Sequence, residues 1–245
     1  MSKHQQLSWV LLLGATLVSV SAVAAEQPTH PTLSAAGQSA NTGAYPPEER
    51  VNYAVVTVGK MKQDPQIAKL LARAKGVLIV PHYVKAAAII GGQGGGGVLL
   101  IRHNDTWSNP AFYTIGGASI GAQLGAHTGS MALLLMNDKA VHEFERHPDT
   151  WSLDSSAGLT VVDYSVGAYK ATGDDDVIRW SDTKGLFGGA EVGVKDIRRD
   201  KDADWAYYGN RDASSRQILT GAVHNPHPEN ATGLQDALPL HLASK

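Results

Sequence analysis

Between residues 51 and 61 apolar side chains recur at Val51, Ala54, Val55, Val58 and Met61, the spacing that lays one stripe of an α-helix against a core. Pro46 and Pro47 open the segment, where a missing N–H costs the helix nothing. Asp64 followed by Pro65 predicts an N-cap and a second helix, with Ile67, Leu70 and Leu71 inward and a stop at Gly76. Beyond Gly76 the texture becomes β-rich: Val77 to Val80, Ala86 to Ile90, Val98 to Arg102, Phe112 to Ile115 and Ala118 to Ala126 read as strands punctuated by Gly, Pro and Asn. A third helix is expected from Asp138 to His147, capped by Asn137 or Asp138. More strands follow at Leu159 to Val166, Val177 to Ser181 and Ala190 to Ile197. The predicted class is α+β, an amino-terminal helix pair packed on a curled, mainly antiparallel, glycine-rich sheet or barrel-like body. Glycines at 121, 125 and 129, and again at 185, 188, 189 and 193, suit a tightly bent sheet.

The ends read differently. Lys3 and His4 precede an apolar run from Leu7 to Val20, and Val23, Ala24 and Ala25 supply small side chains, so residues 1–25 are expected to be an export signal cleaved after Ala25. The run is shorter than the roughly 20 residues a membrane-spanning helix needs; the alternative is that it stays on as an anchor. Residues 26–46, built of Pro, Thr, Ser, Ala, Gly and Asn, read as a flexible linker. The domain is placed at 47–222. Pro226, Pro228 and Pro239 interrupt any pattern in 223–245, which is expected to be a loose tail.

Composition removes several function classes. The chain has no cysteine, so disulfides, thiolate metal sites, a thiol nucleophile and the acylated cysteine of a lipoprotein are excluded together. A formal net charge of −2 argues against nucleic-acid binding driven by bulk charge. Apolar residues make up 43%, enough for an ordinary core in a chain of this length.

Candidate chemistry is sparse. Gly117-Ala118-Ser119-Ile120-Gly121 fits the G-x-S-x-G pattern, and Asp154, Asp163, His224 and His227 downstream complete a triad order on paper. Yet Ser119, Gly121, Gln123, Gly125 and His127 alternate with apolar residues at period two, which predicts a strand through the serine instead of the strand–turn–helix a nucleophile elbow needs. The run Gly91 to Gly97, with Gln93 at its third place, lacks the Lys-Ser or Lys-Thr and the following helix of a phosphate loop; a hairpin or bulged crossing between two strands is expected. Asp174, Asp175 and Asp176 lack calcium-loop spacing and read as a solvated acidic turn, and His224 with His227 is a loose pair, so no metal or cofactor is expected. More informative is a run of cations, Lys60, Lys62, Lys69, Arg73 and Lys75, opposed only by Asp64, with Lys85 in the next loop. Beside an amphipathic helix such a cluster suits anionic lipid headgroups, although a solvated helix face has the same composition.

The stretch Leu70-Leu71-Ala72-Arg73-Ala74-Lys75-Gly76-Val77-Leu78-Ile79-Val80-Pro81 is followed in order by Gly91 to Gln93 with Gly95 to Leu100, Ser119 to Ala126, Leu133 to Asp138, Gly185 to Ala190, Ala206 to Gly209 and Ile218-Leu219. In its opening and in this order of segments the chain, over roughly residues 51–221, resembles the SYLF family of lipid-binding domains. His127 departs from a frequent glutamine. The resemblance implies lipid binding, with phosphoinositides for eukaryotic members and actin for a fungal subset, and it carries no catalytic residues. The expectation is therefore a periplasmic or secreted cell-envelope protein, not an enzyme. It would bind anionic phospholipid reversibly through Lys60, Lys62, Lys69, Arg73, Lys75 and Lys85, with the apolar helix face as an insertion surface. The alternatives are a structural or protein-interaction module, with partners unspecified, and a serine hydrolase using Ser119.

Overall fold

In the computed structural model, residues 45–87, 90–120, 125–153, 158–164, 175–183 and 196–240 are described. They belong to one compact unit, Gln38–Lys245. The expected signal and almost all of the linker lie outside the described residues, as do the Gly185–Gly193 stretch and Asp174.

Local signals set the first elements. Helix α1 (Pro47–Lys62) starts with proline at its first position and carries Glu48 and Glu49 in its first turn and Lys60 and Lys62 in its last, as the helix dipole favours. Helix α2 (Pro65–Arg73) is capped by Asp64, whose carboxylate accepts the N–H of Gln66 at 2.8 Å and of Ile67 at 3.4 Å. It stops three residues before Gly76, because Ala74 is already extended. The cap also reaches across the fold: Tyr164 donates its hydroxyl to Asp64 at 2.5 Å. Burial raises the Asp64 carboxyl, but the Tyr164, Gln66 and Ile67 donors together hold it below its ordinary range.

The strands are β1 (Gly76–Ala87), β2 (Ile90–His103), β3 (Thr106–Trp107), β4 (Ala111–Ile120), β5 (Gly125–Leu135), β6 (Thr150–Trp151), β7 (Val161–Tyr164), β8 (Val177–Ser181) and β9 (Asp196–Arg199). Their order is β6-β9-β4-β2-β1-β5-β8-β7, with β3 added to β2. All pairs are antiparallel except β7 with β8, and the sheet curls into a half-barrel. The expected strand from Ala118 to Ala126 divides into the end of β4 and the start of β5. Those two strands do not pair with each other; β2 and β1 lie between them.

The glycine run lies inside β2 and not in a loop. Between Ile79 and Val84 the β1–β2 register shifts, the mark of a bulge. Gly95 meets this shift so closely that a Cβ would lie 2.5 Å from the His82 carbonyl oxygen.

Helix α3 (Asp138–Arg146) is capped by Asn137, which accepts the Ala140 N–H at 3.0 Å. The expected acidic turn after it is not solvated at its end. Asp176 is buried and accepts from the N–H of Thr160, the Asn137 amide and Lys139, because these orphan donors at the start of α3 and β7 need an acceptor. Three further helices close the fold: α4 (Lys201–Tyr208), α5 (Ser215–Leu219) and α6 (Pro228–Ala237). Buried Asp204 of α4 binds Arg199 at 2.7 Å and the Phe112 N–H at 2.9 Å, tying the helix to β4 and β9. Residues 228–237, expected to be loose, instead bury Ala231 and Leu234, with Leu238 just beyond. Pro228 stands at the first helical turn, where it starts the helix and does not break it.

Candidate functional site

The apolar stripe of α1 is the core side of the helix: Val51, Ala54, Val58 and Met61 have no exposure. It is therefore unavailable as an insertion surface, contrary to expectation, because the sheet and α6 pack against α1. The large apolar side chains that α1 does expose are Tyr53 and Val56, at 38% and 58%. Tyr53 and Tyr45 gather around His82 of β1, with ring centroids 4.6 and 4.5 Å from the imidazole and 5.1 Å from each other. Val84, two residues along β1 from His82, is also exposed. Burial lowers the His82 imidazole below its ordinary value and the nearby charge of Lys60 lowers it further, so the ring is neutral at neutral pH. None of these five residues was singled out from the sequence. Tyr53 and Val56, three apart and off the apolar stripe, were the available signal.

The six predicted cations do not form one patch. Lys60 donates to Asp182 at 2.8 Å and to the Ser130 hydroxyl at 3.4 Å. Burial raises the Asp182 carboxyl, but Lys60 and the Ser130 N–H hold it below its usual range. Lys62 turns to the Ala237 carbonyl at the end of α6, at 3.2 Å, and Lys75 to Asp138 at the start of α3, at 3.7 Å. Lys69 and Arg73, four apart on α2, are exposed, and their charged groups have no partner among the described residues. Lys85 lies in β1, not in a loop, opposite Gln93 and His127; its side chain is outside the described residues.

The hydrolase elements are dispersed. Ser119 lies in β4 opposite Gly91, and the next element is strand β5, so no elbow forms. Asp163 holds Arg179 at 2.5 and 2.8 Å, His227 lies 3.4 Å from Glu48 of α1, and Asp154 is outside the described residues. Among the described residues no group of three His, Asp or Glu is placed to hold a metal. No helix there is long and apolar enough to cross a membrane.

A curled, mainly antiparallel sheet with a helix pair that exposes aromatic and cationic side chains defines an α+β domain built around a surface. The chain belongs to the Ysc84 (SYLF) family, described as Las17-binding protein actin regulator, whose match covers residues 116–240. It is 31% identical over 162 residues to protein YSC84 of Saccharomyces cerevisiae, covering 64% of this chain and 34% of that one. To LAS seventeen-binding protein 3 of the same yeast it is 29% identical over 163 residues (64% and 35%). To SH3 domain-containing YSC84-like protein 1 of Bos taurus it is 27% identical over 165 residues (65% and 47%). The match thus spans less than half the length of each of these relatives. No solved structure matches the chain significantly.

Proposed function

We propose that this domain binds anionic phospholipid surfaces reversibly through its α1–α2 pair, as an exported cell-envelope protein, periplasmic or secreted. The observation that supports it is the presence, on one helix pair, of exposed apolar side chains, Tyr53 and Val56, and of exposed cations, Lys69 and Arg73, whose charged groups have no partner among the described residues. Exposed tyrosine and valine suit the headgroup boundary, and each basic residue near an anionic surface contributes about 1 kcal/mol.

The test is flotation of the chain with phosphatidylcholine vesicles carrying increasing phosphatidylglycerol, at low and high salt. Binding should rise with anionic content and fall with salt. The double variant Lys69→Gln/Arg73→Gln should weaken it about thirtyfold at low salt, the equivalent of two such contacts. Absence of binding at every composition would refute the proposal.

A second reading is a protein-interaction module. It is supported by the family's description as Las17-binding and actin-regulating, and it predicts binding partners whose capture does not depend on lipid.

A further inference from the structure

A cleft of about 350 Å³ lies between the β2–β3 turn, the end of α5 and α6, and it shares no lining residue with the α1–α2 surface. Its size falls within the roughly 300–1,000 Å³ typical of ligand sites. His103, Thr106, Asn109, Thr220 and Gln235 supply its polar lining, and among the described residues no Asp, Glu, Lys or Arg lines it.

The fold uses only part of this polar equipment. Gln235 donates both amide hydrogens, to the carbonyls of Trp107 at 3.2 Å and Ser108 at 3.0 Å, which leaves its oxygen as an acceptor. His103 Nε2 lies 3.1 Å from the Leu219 carbonyl, so the tautomer protonated there leaves Nδ1 to accept. Thr106 and Thr220 donate to the carbonyls of His103 at 3.1 Å and Arg216 at 2.9 Å and keep their lone pairs. Asn109 accepts from Asn225 at 3.3 Å and keeps its two amide hydrogens. The Trp107 indole N–H is buried with no acceptor among the described residues and lies out of a ligand's reach, so it adds no donor to this lining.

We propose that this cleft binds a neutral carbohydrate unit. Among the described residues no charged side chain lines the cleft to compensate a charged ligand. An extended peptide needs a run of backbone partners, and β3 has only the two residues Thr106 and Trp107. Sugar hydroxyls each donate and accept, which matches a lining that offers acceptors and donors side by side without charge.

Saturation-transfer NMR on the full chain tests this, with chitobiose and maltose as probes and glucose 6-phosphate and trialanine amide as contrasts. At least one neutral sugar should receive saturation with a Kd of about 1 mM, weak binding suited to a small open cleft. Thr106→Trp, which fills the cleft from an exposed position, should abolish transfer with the thermal midpoint unchanged. Thr220→Val removes one hydroxyl at nearly constant shape and should raise the Kd about threefold to tenfold, deciding the matter if Thr106→Trp fails to fold. No transfer to either neutral sugar, transfer undiminished in both variants, or preference for the sugar phosphate or the tripeptide amide would overturn the proposal. Vesicle flotation does not depend on this cleft, so the lipid proposal stands or falls separately.

Discussion

Replacing Gly95 by alanine places a methyl group where β1 shifts register. The new Cβ would lie 2.5 Å from the His82 carbonyl oxygen and 2.5 Å from Val80 Cγ1, well inside the roughly 3.3–3.6 Å at which carbon normally meets a carbonyl oxygen. The oxygen lies inside the register shift, but the backbone on either side of it is pinned, at Ile79 and Val84 to β2 and at Val80 and Tyr83 to β5, and Val80 has no exposure, so neither neighbour moves freely. Overpacking of this kind costs about 1–3 kcal/mol, offset by the roughly 0.5–1 kcal/mol that alanine gains over glycine through a less flexible unfolded chain. The net expectation is a loss on the order of 1–2 kcal/mol. At Gly97 the same atom would meet the Ile79 oxygen and Val80 Cγ2 at 3.0 Å, so a smaller loss is expected. At Gly116 of β4 nothing lies within 4 Å, and alanine should be neutral or stabilising by about 0.5 kcal/mol. Urea unfolding followed by tryptophan fluorescence reads the three variants; with a slope of about 1–3 kcal/mol per molar, Gly95→Ala should unfold roughly 1 M earlier than wild type. Equal midpoints for Gly95→Ala and Gly116→Ala would refute the argument that the glycine run exists for close backbone approach.

Leu234→Ala should cost about 2–5 kcal/mol in the same assay, since Leu234 is fully buried, and a chain ending at Ala222 should lose cooperative unfolding. Burial raises the Asp176 carboxyl, but the N–H of Thr160, the Asn137 amide and Lys139 together hold it below its ordinary value of 3.8. Its contribution to stability is therefore present above pH 3.8 and is lost as pH falls through the lower folded value. Asp176→Asn should lower stability at neutral pH and flatten the acid side of a stability–pH curve. Val56→Ser should leave stability within about 0.5 kcal/mol yet weaken vesicle binding roughly fivefold, an effect that persists at high salt because it is apolar.

Helices α1, α2 and α3 were legible because their signals are local. Pro47 sits at a first position, Asp64 and Asn137 each accept an N–H two or three residues ahead, and apolar residues recur at helical spacing. Helix α6 was not legible: its prolines resemble breakers, and the stripe of Ala231, Leu234 and Leu238 is too short to stand out until α1 lies beneath it. In the candidate surface, Lys69 and Arg73 were recognisable as exposed cations. The fate of Lys60 was not, since its partner Asp182 lies 122 residues away.

The sequence by itself determined helices α1, α2 and α3, the main extended runs, the α+β class, and the absence of cysteine chemistry, because propensity, capping and side-chain period act within a few residues. Tertiary structure decided that β2 and β1 lie between β4 and β5, that Asp176 is buried as an acceptor, and that the apolar stripe of α1 faces the core while Tyr53 and Val56 face outward. Those outcomes depend on which distant segments share hydrogen bonds and exclude water together, and no short window of sequence carries that information.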